Sequence, residues 1–236
     1  MNLTNKSILI TGANGGVGMA TVLYALERNA QKIYCAARDI SSLEDLAKNN
    51  PTIIPMKLDI TDTKSVTTLS AKIDNLDMLI NTAGVNTGAR VFEDNMLDFE
   101  VNIIGNLNIF RAFQNKINEG GAIVTITSVL ALVNLPVMGL YCASKSALHS
   151  ILQALRAELN SKNIEVYEVL AGPIDTKMTK GQDMPKSQPK DIVSEMFAGI
   201  KTKTFEIYPD DFAKNIYQGL QENAKTIETN FAASIN

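Results

Sequence analysis

The sequence predicts an α/β fold: a doubly wound parallel sheet of about seven strands with helices on both faces. Three observations carry that expectation. Short, β-rich apolar runs alternate with stretches of helical apolar spacing along most of the chain, the pattern of parallel strands joined by right-handed crossovers. A turn with four glycines in seven positions, Gly12 to Gly18, joins the first apolar run to the first helical stretch. Polar residues collect where strands end, at Thr11, Arg38, Asp59 and Asn81. Ligands of open α/β sheets sit at that carboxyl edge.

Composition sets the bounds. The 236 residues suit one domain, 1–236, of the larger α/β kind. An apolar fraction of 45% fills a sizeable core, and a charged fraction of 20% does not indicate disorder. A net charge of -3 lends a nucleic-acid partner no support. No charged-then-apolar leader opens the sequence, and no apolar run reaches the length of a membrane span. Cys35 falls in an expected strand and Cys142 at a helix start. As small apolar fillers they fit a reduced, cytoplasmic setting. One histidine, His149, mid-helix, argues against a His-based triad or zinc cluster, so no metal is expected. It reads as a packing or surface residue.

In chain order, Ser7-Ile-Leu-Ile-Thr11 is a buried strand, and helical spacing follows the glycines through Val17, Ala20, Leu23 and Leu26 to near Asn29. Residues 31–37 form the second strand, closed by Arg38 and Asp39. A helix at 40–49, capped by Ser41 or Ser42, stops at Pro51. A strand at 52–58 ends at Asp59 and Ile60; a helix at 62–72 is capped by Thr61 or Asp62; a strand at 76–80 ends at Asn81-Thr-Ala-Gly84. After a loop, a long helix at 93–116 carries the stripe Met96, Phe99, Ile103, Leu107, Phe110. A strand at 120–126 ends at Thr127-Ser128. A loop broken by Pro136 and Gly139 leads to a helix at 141–160, and a strand at 163–170 follows. The polar, Pro-containing stretch that comes next reads as a substrate lid at about 177–200, including a short helix at 192–200. A strand at 204–207 and a closing helix at 210–222, with Phe212, Ile216, Tyr217 and Leu220 facing inward, precede a frayed tail.

Three clusters carry chemistry. The strand, glycine turn and helix form a cradle for a diphosphate: glycines admit the backbone closely, and the helix N-terminus offers amides and dipole. At the end of the second strand an acidic side chain suits a ribose 2′-hydroxyl and an arginine a 2′-phosphate. Arg38 precedes Asp39, which favours a phosphate clamp over an exposed Arg-Asp pair and NADP(H) over NAD(H). Tyr141 and Lys145, four apart, share one helix face. An ammonium beside a phenol favours the phenolate and brings the tyrosine toward working pH. Asn102 interrupts an apolar stretch, either on an exposed helix face or as a buried amide holding a water or a carbonyl.

Together these pieces resemble the short-chain dehydrogenase/reductase family over essentially the whole chain. Its Thr-Gly-x-x-x-Gly-x-Gly is met by Thr11, Gly12, Gly16 and Gly18, and its Asn-x-Ala-Gly by Asn81, Ala83 and Gly84. Its helical Asn is met by Asn102 and its strand-end Ser by Ser128; its Tyr-x-x-x-Lys follows thirteen residues later at Tyr141 and Lys145. Two departures stand out. The family's Pro-Gly after the sixth strand is Ala171-Gly172, and Gly15 stands where some NADP(H) members carry a basic residue, leaving Arg38 as the lone clamp. The resemblance implies hydride transfer between NADP(H), or NAD(H), and a carbonyl or secondary alcohol. Tyr141 would be the acid/base, Ser128 would polarise the oxygen, Lys145 would lower the tyrosine pKa and hold the nicotinamide ribose, and Asn102 would anchor a relay water. Asn14 and Val17 of the glycine turn would join the dinucleotide site; Asp59 and Ile60 would meet the adenine, Ile174 and Thr176 the carboxamide. Leu130, Pro136, Met138, Met178 and Met184 would line an apolar substrate pocket or pack the lid. The helices at 93–116 and 141–160 suit subunit packing, as in family members that form homodimers and homotetramers.

Overall fold

The computed structural model describes residues 3–235. Met1 and Asn2, with which the N-terminal reading began, and Asn236 of the 1–236 span lie outside the described residues. Among the described residues one parallel sheet comprises β1 (Ser7–Thr11), β2 (Lys32–Ala37), β3 (Ile53–Lys57), β4 (Leu76–Asn81), β5 (Ile117–Ile126), β6 (Glu165–Val169) and β7 (Glu206–Ile207). Their order is β3-β2-β1-β4-β5-β6-β7. The strand order reverses at β1 and β4, the switch point at which such sheets open a crevice.

Side chains alternate across the sheet. Ile8 and Ile10 of β1 enter one apolar layer and Leu9 the other; β4 repeats this with Met78 and Ile80 against Leu79, and β6 with Tyr167 and Val169 against Val166. Both faces are covered, so the strands read as continuous apolar runs. The first layer is closed by α1 (Gly16–Glu27), α2 (Ser41–Ala47) and α7 (Pro189–Lys201). Tyr24 of α1 stacks on Phe197 of α7 at 4.3 Å between centroids, an arrangement worth about 0.5–1.5 kcal/mol beyond its buried area. The second layer is closed by α3 (Thr63–Ser70), α5 (Asn106–Phe113) and α6 (Gly139–Leu159). The rim strand β3 carries Pro55, opposite Cys35.

Four expectations are corrected. The single helix at 93–116 is instead α4 (Leu97–Phe99), a π-helical segment (Glu100–Gly105) and α5, and β5 already begins at Ile117. The wider π turn rotates the buried stripe: Val101, Ile109, Phe110 and Phe113 are inside, and Met96 is exposed. At its end Gly105 packs on Ile60 so closely that a Cβ would lie 2.6 Å from Ile60 Cγ1. Ser41 and Ser42 do not cap α2; Asp39 Oδ1 accepts from the Ser41 amide (3.0 Å) and hydroxyl (2.8 Å). Asp62, one of the two residues expected, does cap α3, accepting from the Lys64 amide at 2.9 Å.

The expected lid divides. Residues 177–188 run as a short turn and coil over the sheet edge, whereas α7 buries Ile192, Val193, Met196, Phe197 and Ile200 in the core. The closing helix also differs. α8 (Asp211–Ala232) is broken at Asn223, which is extended (φ -158°, ψ 84°) and whose Oδ1 accepts from the Thr226 amide at 3.2 Å, restarting the helix. The second segment folds back on the first, with Ile227 over Gly219, where a Cβ would lie 2.6 Å from Ile227 Cδ1. Ala213 is the buried residue of α8, while Phe212 and Tyr217 are 41% and 38% exposed. This helix applies its apolar side to the cleft mouth and to itself rather than to the sheet.

Candidate active site

A cleft of about 880 Å3 opens along the carboxyl edge of the sheet. One end is built from backbone. Gly12 has φ +66°, and a Cβ there would lie 2.7 Å from the Ala83 amide nitrogen; one on Gly18 would lie 2.2 Å from the Gly12 carbonyl oxygen. Only glycine permits this approach of turn, helix and β4 loop. No side chain caps the α1 N-terminus, and Gly15 to Gly18 line the cleft, so the first amides of α1 face it unpaired. That is the donor set an anionic diphosphate requires. Asn14 Nδ2 ties the turn to the Asp39 carbonyl at 2.9 Å. Arg38 lines the cleft beside Asp59, whereas the Asp39 carboxylate is held by Ser41 and sits below its ordinary pKa for that reason. Asp59 is likewise held by the Thr61 hydroxyl and amide, at 2.7 and 2.9 Å, and its pKa is lowered by them.

The other end holds Ser128, Tyr141 and Lys145. Ser128 ends β5; its hydroxyl donates to the Ala171 carbonyl (3.3 Å) and accepts from the Leu130 amide (3.2 Å). Tyr141 and Lys145 stand one turn apart on α6, with the ammonium 5.7 Å from the phenol ring centroid and 3.3 Å from the Ile126 carbonyl. Burial governs both. It raises the Tyr141 phenol above its ordinary pKa, opposed by a hydrogen bond with Ser128, and pushes Lys145 down to about 8. Desolvation is the dominant influence on the phenol in this structure. Asn102 is buried. Its Nδ2 donates to the Val85 carbonyl and the Ser144 hydroxyl, both at 2.9 Å, and its Oδ1 accepts from the Val85 amide at 2.9 Å. Ser144 in turn donates to the Tyr141 carbonyl at 2.7 Å, so Asn102 ties the loop after β4 to α6.

Of the expected catalytic and dinucleotide residues, Asn102 and Asn81, with Thr11 and Asp39 of the motifs, lie outside the cleft lining and the others line it. Asn81 is buried against the Thr11 hydroxyl, and its Nδ2 has no partner. The Ala171-Gly172 departure is stiffened from elsewhere: Asp210 accepts from the Gly172 amide at 2.8 Å and from Ala213 at 2.9 Å. Leu130, Met138, Met178 and Met184 also line the cleft; Pro136 does not. Leu97, Val101, Phe212 and Phe231 complete the wall unannounced by any motif. Phe231 arrives there only because the chain reverses at Asn223.

The family model for short chain dehydrogenases matches residues 6–186. The chain belongs to the short-chain dehydrogenase/reductase family. It is thus an NAD(P)-dependent oxidoreductase acting on CH–OH or C=O groups. A short chain dehydrogenase from Burkholderia cenocepacia, solved with NADP, superposes with a TM-score of 0.90 at 32% identity, covering 98% of this chain and 99% of that one. A second, from Burkholderia phymatum with NAD, shares the fold at 21% identity and TM-score 0.84, covering 96% of each. Among curated relatives, the NADP-dependent 3-hydroxy acid dehydrogenase of Schizosaccharomyces pombe is 31% identical over 75% of this dehydrogenase and 74% of its own length. The NADPH-dependent 1-acyldihydroxyacetone phosphate reductase of Saccharomyces cerevisiae is 27% identical over 94% of this chain and 81% of its own. Among the described residues no helix is long and apolar enough to cross a membrane.

Proposed function

We propose that this dehydrogenase uses NADP(H) to interconvert a carbonyl and a secondary alcohol on an apolar substrate, with Tyr141 as acid/base. The observation that carries the reading is the convergence of Ser128, Tyr141 and Lys145 at one end of a cleft whose other end is a glycine cradle. When bound, the nicotinamide supplies or accepts the hydride. The chain's own residues do the rest. The α1 amides and glycines would hold the diphosphate, Arg38 would take the 2′-phosphate, Asp59 and Ile60 would flank the adenine, and Ile174 and Thr176 the carboxamide. Ser128 donates to the substrate oxygen; Tyr141 gives that oxygen a proton in reduction and takes it back in oxidation. Lys145 holds a positive charge beside the phenol as its proton leaves.

The preference for NADP(H) rests on two features: Arg38 lines the cleft, and Asp39, the competing ribose ligand, is held by Ser41. The NADP-dependent relatives agree with it. An apolar substrate follows from Leu130, Met138, Met184 and Phe231 at the reacting end. A lid at 177–188 and a homo-oligomer that covers exposed Val91, Phe92 and Ile104 complete the proposal.

Tyr141→Phe tests it. Turnover of a carbonyl panel should fall roughly 10²–10⁴-fold, with cofactor affinity, read by nicotinamide fluorescence, unchanged. Unaltered turnover removes Tyr141 from the chemistry. Binding of cofactor without turnover by the wild type would make the chain a cofactor-sensing module instead.

A further inference from the structure

A carboxylate lies buried behind the catalytic helix, outside every motif. Glu168 of β6 is 0% exposed. Thr127, next to Ser128 and on the cleft wall, donates its hydroxyl to Oε1 at 2.7 Å, and His149 Nδ1 lies 2.7 Å from Oε2. Two donors on the two oxygens suit the ionised, acceptor-only form. His149 is one turn beyond Lys145 on the same face of α6, so Tyr141, Lys145 and His149 form a row, and its last member reaches Glu168. Lys145 is itself only 5% exposed, and the carbonyl that holds it, Ile126, adjoins Thr127. An ammonium so buried sheds its proton unless a counter-charge is fixed nearby.

We infer that Glu168, oriented by Thr127 and His149, is the buried counter-charge that keeps Lys145 protonated at working pH. It is a positioning residue, and the inference rests on the proposed role of Lys145 in turnover. Glu168 is the largest charge bearing on Lys145, ahead of Asp98 from α4; on α6 the Tyr141 ring centroid lies 5.7 Å from the Lys145 ammonium. His149 is faced in turn by Glu168 and by Glu206 of β7, and by Arg156 and Gln153 of its own helix. The hydrogen bond with Glu168 raises the pKa of His149. Protonated His149 therefore draws on the same carboxylate as Lys145. As the imidazole loses its proton with rising pH, its positive charge no longer competes with Lys145 for Glu168.

The two partners make different predictions, which a merely structural role would not. In Glu168→Gln the alkaline limb of the pH profile of kcat for carbonyl reduction should move to lower pH by about one unit. In His149→Gln, where a neutral donor still holds Glu168, it should stay or move to higher pH. His149 is the single histidine of the chain, so its imidazole can be titrated by NMR in the protein alone. Its raised pKa should fall toward the ordinary value in Glu168→Gln. Limbs that stay in place in both variants, or a wild-type His149 of ordinary pKa, would overturn the inference. His149, Glu168 and Glu206 also place ligand atoms within 4.8 Å of one another. Displacement of the His149 resonances by stoichiometric zinc would make the group a metal site and overturn it too. Absence of wild-type turnover would count against the proposed function, and the NMR result would still stand by itself.

Discussion

The two ends of the cleft are built from different materials. At the dinucleotide end the walls are main chain: Gly12, Gly18, Ala83 and the α1 amides, packed so tightly that a single methyl collides with backbone. At the substrate end the walls are long, adaptable side chains, Met138, Met178, Met184 and Phe231, several of them on coil or on a helix folded against its own first half. Backbone cannot yield, whereas methionine and a surface phenylalanine can. One end is cut to a ligand of constant shape, and the other tolerates variation in its occupant.

Substitutions should respect that contrast. Gly18→Ala should have the largest effect, because its Cβ would lie 2.2 Å from a carbonyl oxygen. A cost of about 2–3 kcal/mol is expected. For a chain of this size that is a Tm lower by about 4–12 °C, with cofactor binding lost in parallel. A Gly18→Ala protein of unchanged Tm and affinity would break the comparison. Arg38→Ala should follow. The loss of one charge-assisted contact weakens NADPH roughly 10–100-fold in a fluorescence titration and leaves NADH where it was. Equal losses for both cofactors would show Arg38 supporting the fold rather than reading the 2′-phosphate. Phe231→Ala should be mildest: KM for a bulky apolar carbonyl rising roughly 3–10-fold, with kcat and cofactor affinity held. A large fall in kcat there would mean that the substrate end is as exacting as the other.

The same contrast decides what could be read from the chain. The glycine turn, Arg38 and the Tyr141–Lys145 pair were legible because each is local: a strand end, a turn, one helical repeat. The strands were legible because both of their faces are buried. The π-helical segment was not, since a one-residue change of phase leaves Met96 and Phe99 at apolar spacing while moving Val101 and Asn102 inward. Phe231 was invisible because its place depends on a reversal at Asn223. Glu168 hid for a different reason: in Glu-Val-Tyr-Glu-Val a fully buried acid and a half-buried one look alike, and only the packing of α6 on the sheet separates them.

The rims of the sheet bear on how molecules of this protein meet. Thr52 and Leu58 bond toward β2 through Ile33 and Ala37, so even-numbered residues of β3 face inward and Pro55 faces outward. The one position on that rim with no amide hydrogen thus lies at the middle of the exposed strand. The opposite rim, β7, is two residues long. Neither border offers a ladder on which a second chain could extend the sheet. Strand-by-strand growth, the route that ends in fibrils, is thereby disfavoured at both borders.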